Sequence, residues 1–175
     1  MASEFQRRKV GLAFGMMDVD GDGHLTEADF ALLAQRWSDL RAGGGDDTVV
    51  RGTMLGWWRT LSTAASGADR VTLEDVLGVV DALPAMPEAV HATAEAMFEV
   101  VDANGNGEVD RGEYKQMIEA FSGQGVDTDA AFDLLDLNGD GHLDREEFRA
   151  HWYEFWAGTD ESAPGRLLFG RVEGF

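Results

Sequence analysis

Three segments of twelve residues recur along the chain, beginning at Asp18, Asp102 and Asp136, each rich in Asp and Asn, with glycine sixth and an apolar residue eighth. Each is flanked by amphipathic helical patterns. Before the segments, apolar residues fall at Val10, Phe14 and Met17; at Ala94, Met97, Phe98 and Val101; and at Ala131, Phe132 and Leu135. After them the stripe resumes at Phe30, Leu33, Ala34 and Trp37; at Tyr114, Met117, Ile118 and Phe121; and at Phe148, Trp152 and Phe155. Spacings of three and four put each set on one helix face. The repeated unit is therefore helix, loop, helix, and it predicts a compact all-α chain.

The loops have the chemistry of a hard divalent cation site. Calcium takes six to eight oxygens, which a twelve-residue loop gathers from positions 1, 3, 5, 7, 9 and 12, with glycine at position 6 for the sharp turn. Loop three offers Asp102, Asn104, Asn106, the backbone carbonyl of Glu108, Asp110 and Glu113; loop four offers Asp136, Asn138, Asp140, the carbonyl of His142, Asp144 and Glu147. Loop one offers Asp18, Asp20, Asp22, the carbonyl of His24, Thr26 and Asp29. Its last position departs from the pattern. Asp29 is one methylene shorter than Glu and reaches with one oxygen or through water, so coordination moves toward six and magnesium competes best there. Ordinary surface turns also use Asp, Asn and Gly. Three loops with the glycine, the central apolar residue and both flanking stripes set these apart, and three bound ions are expected.

A fourth, weaker copy spans residues 64 to 75, with Val71 in the central place and Val76, Val79, Val80 and Leu83 following it. Ala64 and Ala68 replace acids, leaving Ser66 and Asp75 as oxygen donors, so this loop is expected to bind no metal. Its incoming stripe, Met54, Trp57 and Leu61, is out of phase by two residues, which predicts a loop about two residues longer than the others. Because such units pair through their central apolar residues, Leu25 is expected opposite Val71, and Val109 opposite Leu143. Gly43 to Gly45, Pro84 and Pro87, and Gly123 and Gly125 mark the breaks between units. The chain divides accordingly into units one and two over 1–83, three and four over 88–160, and a tail over 161–175, within one compact domain.

Composition narrows the function. With 33 acidic against 14 basic residues the formal net charge is -19, which repels nucleic acid and anionic membrane and attracts cations. Five Trp and ten Phe argue against a disordered acidic chain. The absence of cysteine removes thiolate catalysis, disulfides and Cys-based zinc sites. Arg7, Arg8 and Lys9 precede an apolar octet from Val10 to Met17, the length of a signal-peptide core. The octet runs directly into Asp18 at helical spacing, so it reads as a helix and the location as cytoplasmic. His91 and His151 read as ordinary helical residues and the imidazoles of His24 and His142 as solvated. No Ser, His and acid constellation stands out, so no enzyme is expected.

The loops identify the chain as an EF-hand protein, and its finer pattern resembles the sarcoplasmic calcium-binding proteins, especially the bacterial calerythrins. The points of resemblance are four hands with the second degraded, Asp29 closing loop one, the wide spacing between hands one and two, and the terminal segment Pro164 to Gly170. The resemblance implies a cytosolic calcium buffer or transporter of the ion, without catalysis, whose C-terminal apolar segment packs into its own groove. A monomer is expected, with no protein partner identified by the sequence. Leu167, Leu168 and Phe169 favour the buffer, because a tail that fills the groove blocks a partner. The alternative is a sensor that exposes the groove, with methionines such as Met16, Met17, Met54 and Met97 forming an adaptable surface.

Overall fold

The computed structural model describes residues 1–41 and 47–170; the helix stop expected at Gly43 to Gly45 and the last five residues of the tail lie outside them. Among the described residues are helices α1 (Glu4–Met17), α2 (Glu27–Leu40), α3 (Asp47–Ala64), α4 (Leu73–Ala82), α5 (Pro87–Val101), α6 (Arg111–Ser122), α7 (Asp129–Leu135) and α8 (Arg145–Trp156). Two short strands, β1 (Glu108–Val109) and β2 (Leu143–Asp144), lie within the third and fourth loops. The protein is all-α, with this small ladder as its only sheet among the described residues.

One local device starts every helix that leaves a loop. The ninth loop residue is the N-cap, and the acid three residues on folds back to accept its backbone N–H: Thr26 to Asp29 at 2.8 Å, Thr72 to Asp75 at 2.9 Å, Asp110 to Glu113 and Asp144 to Glu147 at 3.0 Å. The closing acid of each loop is thus also the third residue of a capping box, which satisfies an orphan donor of the helix start. α1 starts on the same device built from Ser3 and Gln6. Pro87 occupies the first turn of α5, and Gly123, at φ 73°, ends α6 in the left-handed conformation.

The expected pairings are present. Leu25 and Val71 exchange backbone hydrogen bonds of 2.8 and 2.9 Å as an isolated bridge, and Val109 faces Leu143 in the β1–β2 ladder. The stripes read around loops one, three and four are buried, including Val10, Phe14 and Met17 of α1 and Phe148, Trp152 and Phe155 of α8, whereas in the second hand Met54, Val76 and Val80 are buried and Trp57, Leu61, Val79 and Leu83 only half-buried. α1 packs on α6 and α8 as well as on α2 and α4, so both pairs of hands share one buried cluster.

The second hand differs from its expectation in how it uses its extra length. Leu61 and Val71 are ten residues apart, where Met17 and Leu25 are eight apart, so the two-residue excess is real. It does not lengthen the loop. α3 runs on to Ala64, and the segment to α4 is eight residues, 65–72, against nine, 18–26, in hand one. Ser66 at φ 62° and Gly67 at φ 76° then turn the chain, and Gly67 N–H bonds the Ser62 carbonyl at 2.7 Å. This is the six-to-one hydrogen bond of a helix C-terminal stop. The excess is absorbed as helix because the buried positions, Met54 and Trp58, follow the longer phase.

The segment after α8 returns to the core. Leu167, Leu168 and Phe169 are buried, and the Phe169 ring lies 4.7 Å from Phe155 and 5.2 Å from Phe121 between centroids. The Tyr114 hydroxyl donates to the Leu168 carbonyl at 3.0 Å, with the Leu167 carbonyl at 3.2 Å. Gly165 passes so near α8 that a Cβ there would stand 2.7 Å from the His151 carbonyl oxygen and 2.6 Å from Glu154 Cβ.

Candidate metal centres

In hand one the loop folds around its own carboxylates. Asp18 accepts from Asp22 N–H at 3.1 Å and Gly23 N–H at 2.8 Å, and Asp22 accepts from His24 N–H at 2.9 Å. Carboxylate oxygens of Asp18, Asp20 and Asp22 come within 4.8 Å of one another. Gly21 at φ 70° and Gly23 at φ 84° supply the left-handed backbone this curl requires. Thr26 and Asp29 close the far side, where Asp29 Oδ2 takes both the N–H and the hydroxyl of Thr26 at 2.8 Å. Asp29 Oδ1 reaches across to Val19 N–H at 3.0 Å, so the short side chain still spans the loop.

Loops three and four repeat the geometry. Asp102 accepts from Asn106 and Gly107 N–H groups at 3.2 and 2.9 Å, and Asp136 from Gly139 and Gly141 at 3.0 and 2.8 Å. Asn104 and Asn106 accept from the N–H two residues on, at 3.0 Å each, as Asn138 and Asp140 do at 2.9 Å each. Asp110 and Asp144 cap α6 and α8. Glu113 spans its loop from Asp110 N–H at 3.0 Å to Asn104 N–H at 3.2 Å. Glu147 accepts from Asp144 through Oε2, whereas its Oε1 is closed to solvent with no hydrogen-bond partner. Glu108 and His142 occupy the seventh positions, with exposed side chains.

This donor set fits a hard divalent cation. It is built of oxygen alone, and the orphaned Glu147 Oε1 is a buried acceptor that only a cation or a donor would satisfy. Burial raises the Glu113 carboxyl above its ordinary value; N–H bonds from Asp110 and Asn104 oppose the rise and the Asp110 and Asp102 charges add to it. A divalent ion reverses that balance. In the second hand nothing converges: Asp75 is held by the N–H and hydroxyl of Thr72 at 2.9 and 2.7 Å, and no residue from the start of that loop reaches it.

Two supporting residues escaped the sequence reading. His151 is fully buried, and its Nε2 lies 2.7 Å from the carbonyl of Leu135, which therefore accepts an Nε2–H and fixes the chain just before Asp136. Its place beside Phe148 and Trp152 on the inward face of α8 was the available signal. Arg145, next to Asp144, bridges Glu95 and Glu99 of α5 at 2.6 and 2.8 Å and lies over the Phe98 ring. It ties the fourth loop to the helix that enters the third.

Comparison with known proteins agrees with this geometry. A family model described as an EF-hand domain pair matches residues 92–153, and one described as an EF hand matches residues 12–34. A sarcoplasmic calcium-binding protein of Hediste diversicolor is 26% identical over 118 residues, covering 64% of this chain and 67% of the relative. Residues 92–153 thus match an EF-hand pair and residues 12–34 a further EF hand, and the chain is similar to the sarcoplasmic calcium-binding proteins. The chain shares its fold with the calcium-loaded apo form of a coelenterazine-binding protein from Renilla muelleri, at a TM-score of 0.77 and 24% identity over 98% of this chain and 100% of that one. It is also similar to a Streptomyces coelicolor calcium-binding protein described in terms of prokaryotic calcium-mediated regulation, at a TM-score of 0.67 and 25% identity over 90% of this chain and 100% of that one. Among the described residues no helix is long and apolar enough to cross a membrane.

Proposed function

We propose that this calcium-binding protein holds three ions and acts as a monomeric cytoplasmic buffer closed by its own tail. Asp18, Asp20, Asp22, Thr26 and Asp29 with the His24 carbonyl hold the first ion. The second takes Asp102, Asn104, Asn106, Asp110, Glu113 and the Glu108 carbonyl, and the third takes Asp136, Asn138, Asp140, Asp144, Glu147 and the His142 carbonyl. Hand two serves hand one as a structural partner only. The whole works as one domain, with hands one and two in 1–83, three and four in 88–160 and the tail in 161–175.

The observation that carries the buffer reading is the burial of Leu167, Leu168 and Phe169 among the helices of hands three and four. A tethered segment occupies its groove at high effective concentration and excludes a partner helix. Calorimetric titration with calcium, repeated in millimolar magnesium, tests the stoichiometry. Three ions are expected, with magnesium weakening the first site most; two or four ions would overturn the assignment.

A second reading is a sensor, in which calcium frees the tail and the groove takes a protein partner. The regulatory description of the Streptomyces coelicolor protein favours it. Calcium-dependent gain of apolar surface in the full chain would decide for the sensor.

A further inference from the structure

The segment after α8 forms a short 3₁₀ turn, Pro164–Leu167, that packs against α7 and α8 together. These are the helices that enter and leave the fourth loop. The fit on α8 is close: Glu154 Oε2 accepts the Gly165 N–H at 2.7 Å, and a Cβ on Gly165 would stand 2.5 Å from that oxygen. One turn earlier on α8, His151 Nδ1 lies 3.4 Å from Glu154 Oε2, while its Nε2 bonds the Leu135 carbonyl at 2.7 Å. That carbonyl shares a peptide plane with the nitrogen of Asp136, the first residue of the loop. Three contacts thus lead from the tail, through Glu154 and His151, to the start of the fourth loop.

Tail and loop require the same arrangement of α7 and α8. With the tail seated, Asp136 already accepts the Gly139 and Gly141 N–H groups, so the loop is curled on its first carboxylate. Opening of the hand would change the angle between its two helices and draw the turn away from one of them. Two events that favour one arrangement support each other, by the same factor in both directions.

We propose, on the reading that Asp136 to Glu147 hold calcium, that Glu154 and His151 are positioning residues through which the seated tail tightens the fourth site and the ion tightens the tail. Site one, in the other pair of hands, is the internal reference.

Amide signals of the sixth-place glycines, Gly23 and Gly141, read the two sites separately when isotope-labelled full chain is titrated with calcium against a competing chelator. Glu154→Ala removes the acceptor of Gly165, and should weaken site four about three- to tenfold and site one by less than about twofold. Glu154→Gln keeps an acceptor oxygen and should stay within about twofold of the native chain at both sites, which separates the hydrogen bond from the charge. Gly165→Ala unseats the tail from the other side, and combined with Glu154→Ala it should stay within about twofold of the weaker single variant. His151→Met, which lacks the donor to Leu135, should weaken site four as Glu154→Ala does. Equal losses at sites one and four, a loss in Glu154→Gln as large as in Glu154→Ala, or additive losses in the double variant would overturn the proposal.

The opposite direction is read by hydrogen exchange of the Gly165 amide in saturating calcium. Glu147→Gln should speed it about three- to tenfold relative to the Val71 amide, which belongs to the first pair of hands. If the Gly141 signal of Glu147→Gln still responds to calcium as in the native chain, the ligand assignment falls and the coupling with it. If the ion is lost while Gly165 exchanges no faster than before, the assignment stands and the coupling is overturned.

Discussion

Lys9 of α1 donates from its ammonium group to the backbone carbonyl of Glu154 in α8 at 2.9 Å, and to that of Gly158 at 2.8 Å, while fully closed to solvent. The contact joins the first helix of the chain to the end of the last. Burial lowers this amine from 10.5 to about 8, with the Glu154 carboxylate offsetting part of the fall. The unfolded chain keeps the higher value, so between about pH 8 and 10.5 it binds more protons than the folded one, and stability from this group rises with pH across that window. Below it the cost of burying the charge is present in full. Urea melts of the calcium-saturated protein and of Lys9→Met should therefore diverge as pH rises from about 7 to about 10, in favour of the native lysine. A constant difference would show that Lys9 does not titrate there.

On the three-site reading, Glu113→Gln and Glu147→Gln each remove a spanning carboxylate, and each should eliminate one strong calcium site in a calorimetric titration. Glu147 offers the sharper case, since its Oε1 has no other partner. Retained tight binding at three sites in either variant would displace these residues from the ligand set.

Asp29→Glu lengthens a side chain whose two oxygens bond Val19 and Thr26 and which is 2% exposed. The added methylene brings both oxygens toward the loop centre. Calcium affinity at site one should rise relative to magnesium, as read by competition titration, and an unchanged ratio would mean that the loop has already adjusted to aspartate.

Ending the chain after Ala163 removes three large buried side chains, each worth about 1.5–3 kcal/mol. The shortened protein should keep its calcium stoichiometry, melt lower, and bind more anilinonaphthalene sulfonate than the full chain. Tyr114→Phe is the milder version. It takes the donor from the Leu168 carbonyl and should cost about 1–3 kcal/mol. Equal melting of all three proteins would separate the tail from the core.

Chelation should lower the melting temperature markedly, because each loop gathers carboxylates that repel one another, and three divalent ions change the formal net charge from -19 to -13. An identical melt in excess chelator would remove metal from the folding equilibrium.

Much of this was legible in the residues. The stripes betrayed the helices because their spacing is that of a helix face, and the loops were readable because oxygen donors at fixed intervals with a sixth-place glycine serve little else. Even the bridge between Leu25 and Val71 followed from their equivalent places. What stayed hidden depends on contacts between distant parts. In a run of Arg7, Arg8 and Lys9, nothing sets the lysine apart until the carbonyls of Glu154 and Gly158 are placed over it. The two extra residues of hand two were visible, but whether they join helix or loop depends on which face of α3 meets Phe30, whose ring lies 6.1 Å from Trp58. The hold of Glu154 on Gly165 has no periodic signature, since it arises from the return of the tail across α8.

On the three-site reading, the single bridge from Leu25 to Val71 leaves hand one with a neighbour that has no ion of its own. Loops three and four, by contrast, share a ladder of two residue pairs, so that stiffening one loop preorganises the other. Communication across such a ladder is reciprocal, and it needs a responder on each side. On that reading, calcium arriving at the first loop meets across the bridge a hand whose chain turns at Ser66 and Gly67 and holds no second ion to answer it. The binding isotherm should accordingly resolve into a cooperative couple and a soloist, with a Hill slope above unity for the former alone.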